Sequence, residues 1–283
     1  MMNKAVVNFI RDDLSPFYPE QELNSILFLM FEEVLGYSKT DIIIKADTKL
    51  KKKEKFRFEQ ILGRLKRMEP IQYVLGSTQF YGIKILTDVR TLIPRPETEE
   101  LVSWILEEFN ADGLRVLDIG TGSGCIAVAI KKCYPNCQVI GIDISEHALA
   151  VAQKNADIHK ISINFIQGNI LNATEIHKIK ELDIIVSNPP YIELKEKNMM
   201  AKNILDFEPE EALFVENNSA LIFYEAIGEF AFKNLRSGGK VFFETSALYN
   251  NAVVDLLKKM GFISVESRKD INGKPRMVRA VFK

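Results

Sequence analysis

Val116-Leu117-Asp118-Ile119-Gly120-Thr121-Gly122-Ser123-Gly124 is an apolar run that meets an acid and passes straight into a glycine-rich turn. That order reads as a buried strand, a tight turn and a helix starting near Cys125. The glycines let backbone approach a ligand where a Cβ would stand in the way. Spacing separates the motif from two commoner ones. A dinucleotide fingerprint needs a third glycine three residues after the second, where Cys125 stands, whereas Gly124 comes at two. A phosphate-binding loop needs a following lysine, and none is present.

Towards the C-terminus the same alternation continues. Strand-like runs appear in CQVIGID (137–143), INFIQGN (163–169), DIIVSNPPY (183–191), KVFFET (240–245), FISVES (262–267) and RMVRAVF (276–282). Helical patterns start near Glu146, cover about Leu221 to Leu235 and about Ala247 to Met260. Strands alternating with helices imply parallel βαβ units with helices on both faces of one sheet, so the class is α/β.

Towards the N-terminus the period changes to that of helices. Leu23, Ile26, Leu27, Met30, Phe31, Val34 and Leu35 recur at i, i+3, i+4, i+7 and stop at Gly36; Phe58, Ile61, Leu62 and Leu65 repeat the pattern before Pro70. A small helical bundle is predicted. From Ile71 to Leu92, short apolar and aromatic runs broken by Gly76 and Gly82 suggest a strand pair. In IPRPETEELVSWILEEF the two prolines fix an extended entry, and Thr98 is expected as N-cap with Glu99 and Glu100 in the first turn. The expected organisation is a helical domain over 1–75, a connecting hairpin or linker over 76–95, and an α/β domain over 96–283.

The 283 residues carry 37 Lys plus Arg against 38 Asp plus Glu, a net charge of −1, with 47% hydrophobic residues. This composition excludes disordered, collagenous and disulfide-scaffold proteins, and it argues against a surface that follows a nucleic-acid backbone throughout. The charge is uneven: residues 45–67 hold ten Lys or Arg and three acids, either a solvated helix face or a dock for an acidic protein surface. Cys125, Cys133 and Cys137 lack a second ligand pair nearby, so no metal site is expected and a reducing compartment fits. The N-terminus meets Arg11, Asp12 and Asp13 before a signal-peptide core could form, and no stretch reaches the ~18 apolar residues of a membrane span. A cytoplasmic location is expected. His147, His159 and His177 lie away from the motifs, where surface roles are the default.

Three strand ends carry the chemistry. Asp143 closes the strand after the glycine turn, where a carboxylate can accept from both hydroxyls of a ribose or, alternatively, cap the helix that follows. An adenosine-type cofactor fits. Asn169 and Ile170 stand at the next strand's end, placed to meet an adenine by hydrogen bonding and packing, although an Asn after Gly168 also suits any turn. Asn188-Pro189-Pro190-Tyr191 follows the buried strand Asp183 to Ser187. Its prolines fix the Pro189 carbonyl beside the Asn188 side-chain oxygen. Two acceptors side by side can hold an NH2 group by both hydrogens, and Tyr191 can pack on the planar group that carries it.

Taken together, Gly120, Thr121, Gly122, Ser123 and Gly124 with Asp143 and NPPY (188–191) resemble class I S-adenosylmethionine methyltransferases with a Rossmann-like sheet, which modify planar amide or exocyclic amino nitrogens. PIQYVLGSTQFYG (70–82), LIPRPETE (92–99), FEPEEALF (207–214) and KDINGKPR (269–276) further resemble the HemK/PrmC family of release factor glutamine methyltransferases. The resemblance implies that Gly120 to Gly124 line the methionine end of S-adenosylmethionine, Asp143 binds its ribose and Asn169 and Ile170 border its adenine. It implies that Asn188 and Pro189, with Pro190 and Tyr191, hold the acceptor glutamine, and that the loop around Arg95, Glu97 and Thr98 closes over the methionine end. The family often has a larger aromatic residue where Ile170 stands. The product would be S-adenosylhomocysteine. Class I release factors are the partners implied, with no membrane, no stable nucleic-acid binding and a monomeric chain. Two alternatives stay open: a methyltransferase acting on adenine N6 or guanine N2 of DNA or RNA, and a catalytically silent binding module. A base-modifying enzyme needs a base-flipping pocket and basic contacts, and an intact Asp143 and Asn188 argue against a silent module.

Overall fold

The computed structural model describes residues 3–108, 111, 113–172, 176 and 178–283. The chain divides into two units, Met1–Ser77 and Thr78–Lys283. The first holds helices α1 (Asn3–Leu14), α2 (Glu20–Leu35), α3 (Lys39–Ile44), α4 (Lys52–Leu65) and α5 (Ile71–Leu75). The apolar stripes of α2 and α4 bury Met30, Phe31, Phe58 and Leu65, and the rings of Phe31 and Phe58 meet at 5.0 Å. Gly36 ends α2 at a φ of 66°, with its N–H donating to the Glu32 carbonyl at 2.8 Å.

Residues 71–75 correct the expected strand pair, which is confined to 77–86. Pro70 precedes the helix, where its missing N–H costs nothing, and Gly76 ends it at a φ of 78°. Arg64, within the basic segment, staples α5 to α4: it donates to the Tyr73 and Val74 carbonyls at 3.1 and 3.0 Å and pairs with Glu69. Lys51, Lys52 and Lys53 of the same segment are exposed.

The hairpin β1 (Ser77–Phe80) and β2 (Ile83–Leu86) starts at the last residue of the first unit and continues into the second, followed by α6 (Pro96–Glu107). Then come β3 (Arg115–Ile119), α7 (Cys125–Cys133), β4 (Gln138–Asp143), α8 (Glu146–Ile158), β5 (Asn164–Gln167) and β6 (Leu182–Ser187). The remainder comprises β7 (Ile192–Glu193), α9 (Lys202–Phe207), β8 (Phe214–Val215), α10 (Ile222–Asn234), β9 (Leu235–Glu244), α11 (Asn250–Lys259), β10 (Ile263–Lys269) and β11 (Pro275–Val281). Among the described residues the main sheet has seven strands in the order β10-β11-β9-β6-β3-β4-β5. The β9, β6, β3, β4 and β5 ladders are parallel, while β11 runs antiparallel to both its neighbours because a short turn joins it to β10.

Alternation along the strands loads both faces. Phe242 packs with Trp104, Ile105, Ile126 and Val186 on the side of α6 and α7, while Phe243 packs with Tyr224, Ile227, Ile185 and Val253 on the side of α10 and α11. The chain moves outward from β3 through β4 to β5, then returns to β6 on the other side of β3. Ligands bind outside the carboxyl ends of strands at such a reversal. Register brings the key positions to that edge: Ile119 pairs with Ser187 and Ile142, and Ser187 pairs with Phe243. Gly120, Asn188, Asp143 and Glu244 therefore emerge together. No described helix is long and apolar enough to cross a membrane.

Candidate active site

Three left-handed glycines shape the turn after β3, with φ of 70° at Gly120, 55° at Gly122 and 77° at Gly124. The reversals turn alternate residues in opposite directions. Gly120 and Gly122 line a cavity of about 340 Å³, and a Cβ built on either would meet nothing within 4 Å. Thr121, Ser123 and Gly124 lie behind this surface. The Thr121 hydroxyl donates to Asp118 at 2.7 Å, the buried Ser123 offers its carbonyl to Asn155 at 2.9 Å, and a Cβ on Gly124 would come within 3.0 Å of Ala152.

Asp143 stands beside the glycine turn and lines the same cavity. One carboxylate oxygen accepts from Gly122 N–H at 2.8 Å and the other from Ser145 N–H at 3.0 Å. It thus fixes the glycine turn and the approach to α8, whose N-cap is Ser145. Each oxygen has a second lone pair for a ligand hydroxyl. Asn169 and Ile170 also line this cavity, the Asn169 side chain accepting from Leu171 N–H at 2.9 Å, as a turn residue does. The rim is completed by residues 90–92 rather than by Arg95, Glu97 and Thr98.

Asn188, Pro189 and Pro190 line the same cavity and also a second one of about 190 Å³, whose other walls include Tyr191, Arg95, Ile204 and Glu244. The Asn-Pro-Pro segment is a wall shared by two chambers. Ser187 Oγ anchors its base by donating to the Ile119 carbonyl at 2.7 Å. Burial pushes the Tyr191 phenol up to about 12, so it remains protonated at neutral pH.

A methyltransferase-domain model matches residues 110–269, and a PrmC N-terminal domain model matches residues 10–76. The chain is 43% identical to the release factor glutamine methyltransferase of Flavobacterium psychrophilum over 95% of both chains. It is 40% identical to the release factor glutamine methyltransferase of Bacteroides thetaiotaomicron over 99% of both. The chain belongs to the release factor glutamine methyltransferase family. Solved structures agree on the fold: a methyltransferase from Pyrococcus furiosus, 21% identical, superposes with a TM-score of 0.53 over 71% of this chain and 89% of its own. A 16S rRNA N2 methyltransferase from T. thermophilus in complex with AdoMet and guanosine, 17% identical, gives 0.52 over 73% of this chain and 50% of its own.

Two buried acids of this family member have roles that their motifs do not announce. Asp118 is wholly buried and holds Thr121; Glu244 ends β9 beside Asn188 and accepts from Thr98 Oγ1 at 2.5 Å. Thr98 is therefore not the N-cap expected of it. Pro96 starts α6 two residues earlier with Arg95 as N-cap, which leaves the Thr98 hydroxyl free to face β9. An acid following an apolar strand was the one available signal for Glu244, and KVFFET shows it. His147 is exposed, His159 meets the Lys84 carbonyl at 2.7 Å, and His177 lies outside the described residues.

Burial raises Asp118 and Glu244 to about 7, against ordinary carboxylate values near ~4. Between those limits the folded chain binds more protons than the unfolded one, so stability falls as pH rises through the window and levels off above it. The thermal midpoint is expected to be higher at pH 6 than at pH 8, with a shallower difference in Asp118→Asn. A midpoint that climbs over that interval would contradict this assignment.

Arg95 reaches from the start of α6 to Glu208, at 2.6 and 2.8 Å to its two oxygens, while the Glu208 side chain is 1% exposed. This pair ties the LIPRPETE segment to the FEPEE segment. Removing the guanidinium strands a buried carboxylate, so Arg95→Met is expected to cost about 2 to 3 kcal/mol in urea unfolding. Adding Glu208→Gln in the same chain should recover part of that loss.

Proposed function

We propose that the protein transfers a methyl group from S-adenosylmethionine to the side-chain N5 of the glutamine in the Gly-Gly-Gln motif of class I release factors. S-adenosylhomocysteine is the second product. The observation that carries this reading is the shared wall: Asn188 and Pro189 border both a chamber floored by glycines and Asp143 and a chamber faced by Tyr191 and Glu244. The larger chamber suits the cofactor on two counts. An open glycine floor lets a chain lie on backbone, and Asp143 offers lone pairs where ribose hydroxyls would stand.

In this reading Gly120 and Gly122 border the methionine end, with Thr121, Ser123 and Gly124 holding the turn in shape. Asn169 and Ile170 border the adenine. S-adenosylmethionine supplies an electrophilic methyl on a sulfonium. The chain's own work is on the acceptor. An amide nitrogen is a poor nucleophile because its lone pair is delocalised, so it must be stripped of water and aimed. Asn188 Oδ1 and the Pro189 carbonyl accept the two N–H groups, and Tyr191 packs against the amide plane. With the cofactor bound, the N–CH3 bond would form as the S–CH3 bond breaks, the electron pair staying on sulfur, and the methylated nitrogen would lose its proton to solvent. No base is needed before transfer. In this reading the enzyme acts as a monomer in the cytoplasm, where class I release factors work.

The test compares labelled methyl transfer to an intact class I release factor, to a variant with the Gly-Gly-Gln glutamine replaced, and to bulk DNA and RNA. Labelling of the intact factor alone is expected. Equal labelling of the first two rejects the acceptor, and preferential labelling of nucleic acid rejects the substrate class.

A further inference from the structure

Asn188 has a problem of orientation that the Asn-Pro-Pro motif does not solve. The two ends of a carboxamide are nearly isosteric, yet only one accepts. With Oδ1 toward the acceptor chamber, the side chain takes a hydrogen bond from the incoming NH2. Flipped, it sets one NH2 against another and loses one of the two bonds that aim the nitrogen.

Two buried side chains distinguish the ends. Asn188 Nδ2 donates to Thr98 Oγ1 at 3.3 Å, and Thr98 Oγ1 donates to Glu244 Oε2 at 2.5 Å. Thr98 and Glu244 are 2% and 3% exposed. A hydroxyl has one hydrogen to give. Above the value of about 7 to which burial raises it, Glu244 is an ionised carboxylate that only accepts, so that hydrogen goes to Glu244 and the lone pairs of Oγ1 face Asn188. Only Nδ2 can meet them. We propose that Thr98 and Glu244 are positioning residues, a relay from β9 through α6 that keeps Asn188 Oδ1 turned toward the acceptor nitrogen. The proposal rests on the glutamine reading above. A carboxyl buried at the end of a sheet strand is costly, and a role in specifying one arrangement of a polar network accounts for its presence.

A merely structural tie between α6 and the sheet would show in stability and not in turnover. The experiment uses the full chain at a pH of about 8.5, where Glu244 is ionised, with saturating S-adenosylmethionine and an intact class I release factor. Thr98→Val keeps the shape and removes the hydroxyl; Thr98→Ser restores it. Thr98→Val is expected to lower kcat about 30-fold, which is about 2 kcal/mol at ~1.36 kcal/mol per decade, with cofactor affinity within ~3-fold of wild type. Thr98→Ser is expected to recover to within ~3-fold of wild type. Glu244→Gln can donate to Thr98 and free its hydroxyl to turn on Asn188 Oδ1, so a loss of at least ~10-fold in kcat is expected. Wild-type kcat in Thr98→Val, or a Thr98→Ser enzyme as impaired as Thr98→Val, overturns the relay. Should Thr98→Val not fold, wild-type kcat in Glu244→Gln overturns it equally. Wild-type labelling that ignores replacement of the glutamine overturns the acceptor reading and the relay with it; wild-type specificity beside an unimpaired Thr98→Val overturns the relay alone.

Discussion

Asn188→Ala is expected to lower kcat by about 10² to 10³-fold, the scale seen when one preorganised hydrogen-bonding group is removed from a reacting centre. The cofactor dissociation constant should stay within a factor of ~3, since in the proposed site the lost oxygen faces the acceptor rather than the donor. Three features of the structure make the effect large. Asn188 sits directly after a central strand whose last residue is anchored by Ser187 Oγ, so its backbone position is set by the sheet. Pro189 is buried beside it and cannot rotate to compensate. Tyr191, with its phenol held neutral, offers no charged substitute. Single-turnover methyl transfer measured beside calorimetric cofactor binding separates the two quantities. Undiminished turnover would remove Asn188 from the mechanism.

Asp143→Ala should act on the other side of the wall, and chiefly on binding. Two effects add. The proposed ribose contacts disappear, and the N–H groups of Gly122 and Ser145 lose the acceptor that holds the turn and the entry to α8 together. Losing a charged acceptor costs about 1.5 to 3 kcal/mol, so a cofactor affinity weaker by about 10 to 10²-fold is expected. Asp143→Asn keeps one accepting oxygen and should lie between. Calorimetric titration with S-adenosylmethionine reads the series directly, and an alanine variant that binds like wild type would leave the carboxylate with its backbone contacts alone.

What could be read in the sequence was whatever sits in one contiguous piece. GTGSG, Asp143 and NPPY each close a strand, and strands alternating with helices place strand ends on one edge. What escaped depends on partners distant in sequence or on local competition. Thr98 and Glu244 are separated by 146 residues and meet only because α6 packs beside β9. Thr98 precedes a helical run and so invites assignment as N-cap, but Pro96, with its φ already set, starts the helix first. Ile71 to Leu75 carry the β-friendly residues Ile, Tyr and Val; Pro70 at one end, Gly76 at the other and the Arg64 clamp on their carbonyls override that propensity. Asp118 was visible as the acid in an apolar run, but its task of holding Thr121 and hence the turn appears only once the three glycines have folded the backbone back.

The Asn-Pro-Pro segment between the chambers also divides the vocabulary of permissible change. Gly122, Asp143 and Asn169 border only the larger chamber, whereas Tyr191, Arg95 and Glu244 border only the smaller. Either set can drift, or be redesigned, with little consequence for the other, so an altered acceptor preference does not require a rebuilt donor pocket. Asn188, Pro189 and Pro190 have no such freedom, because a change suited to one neighbour is felt at once by the second.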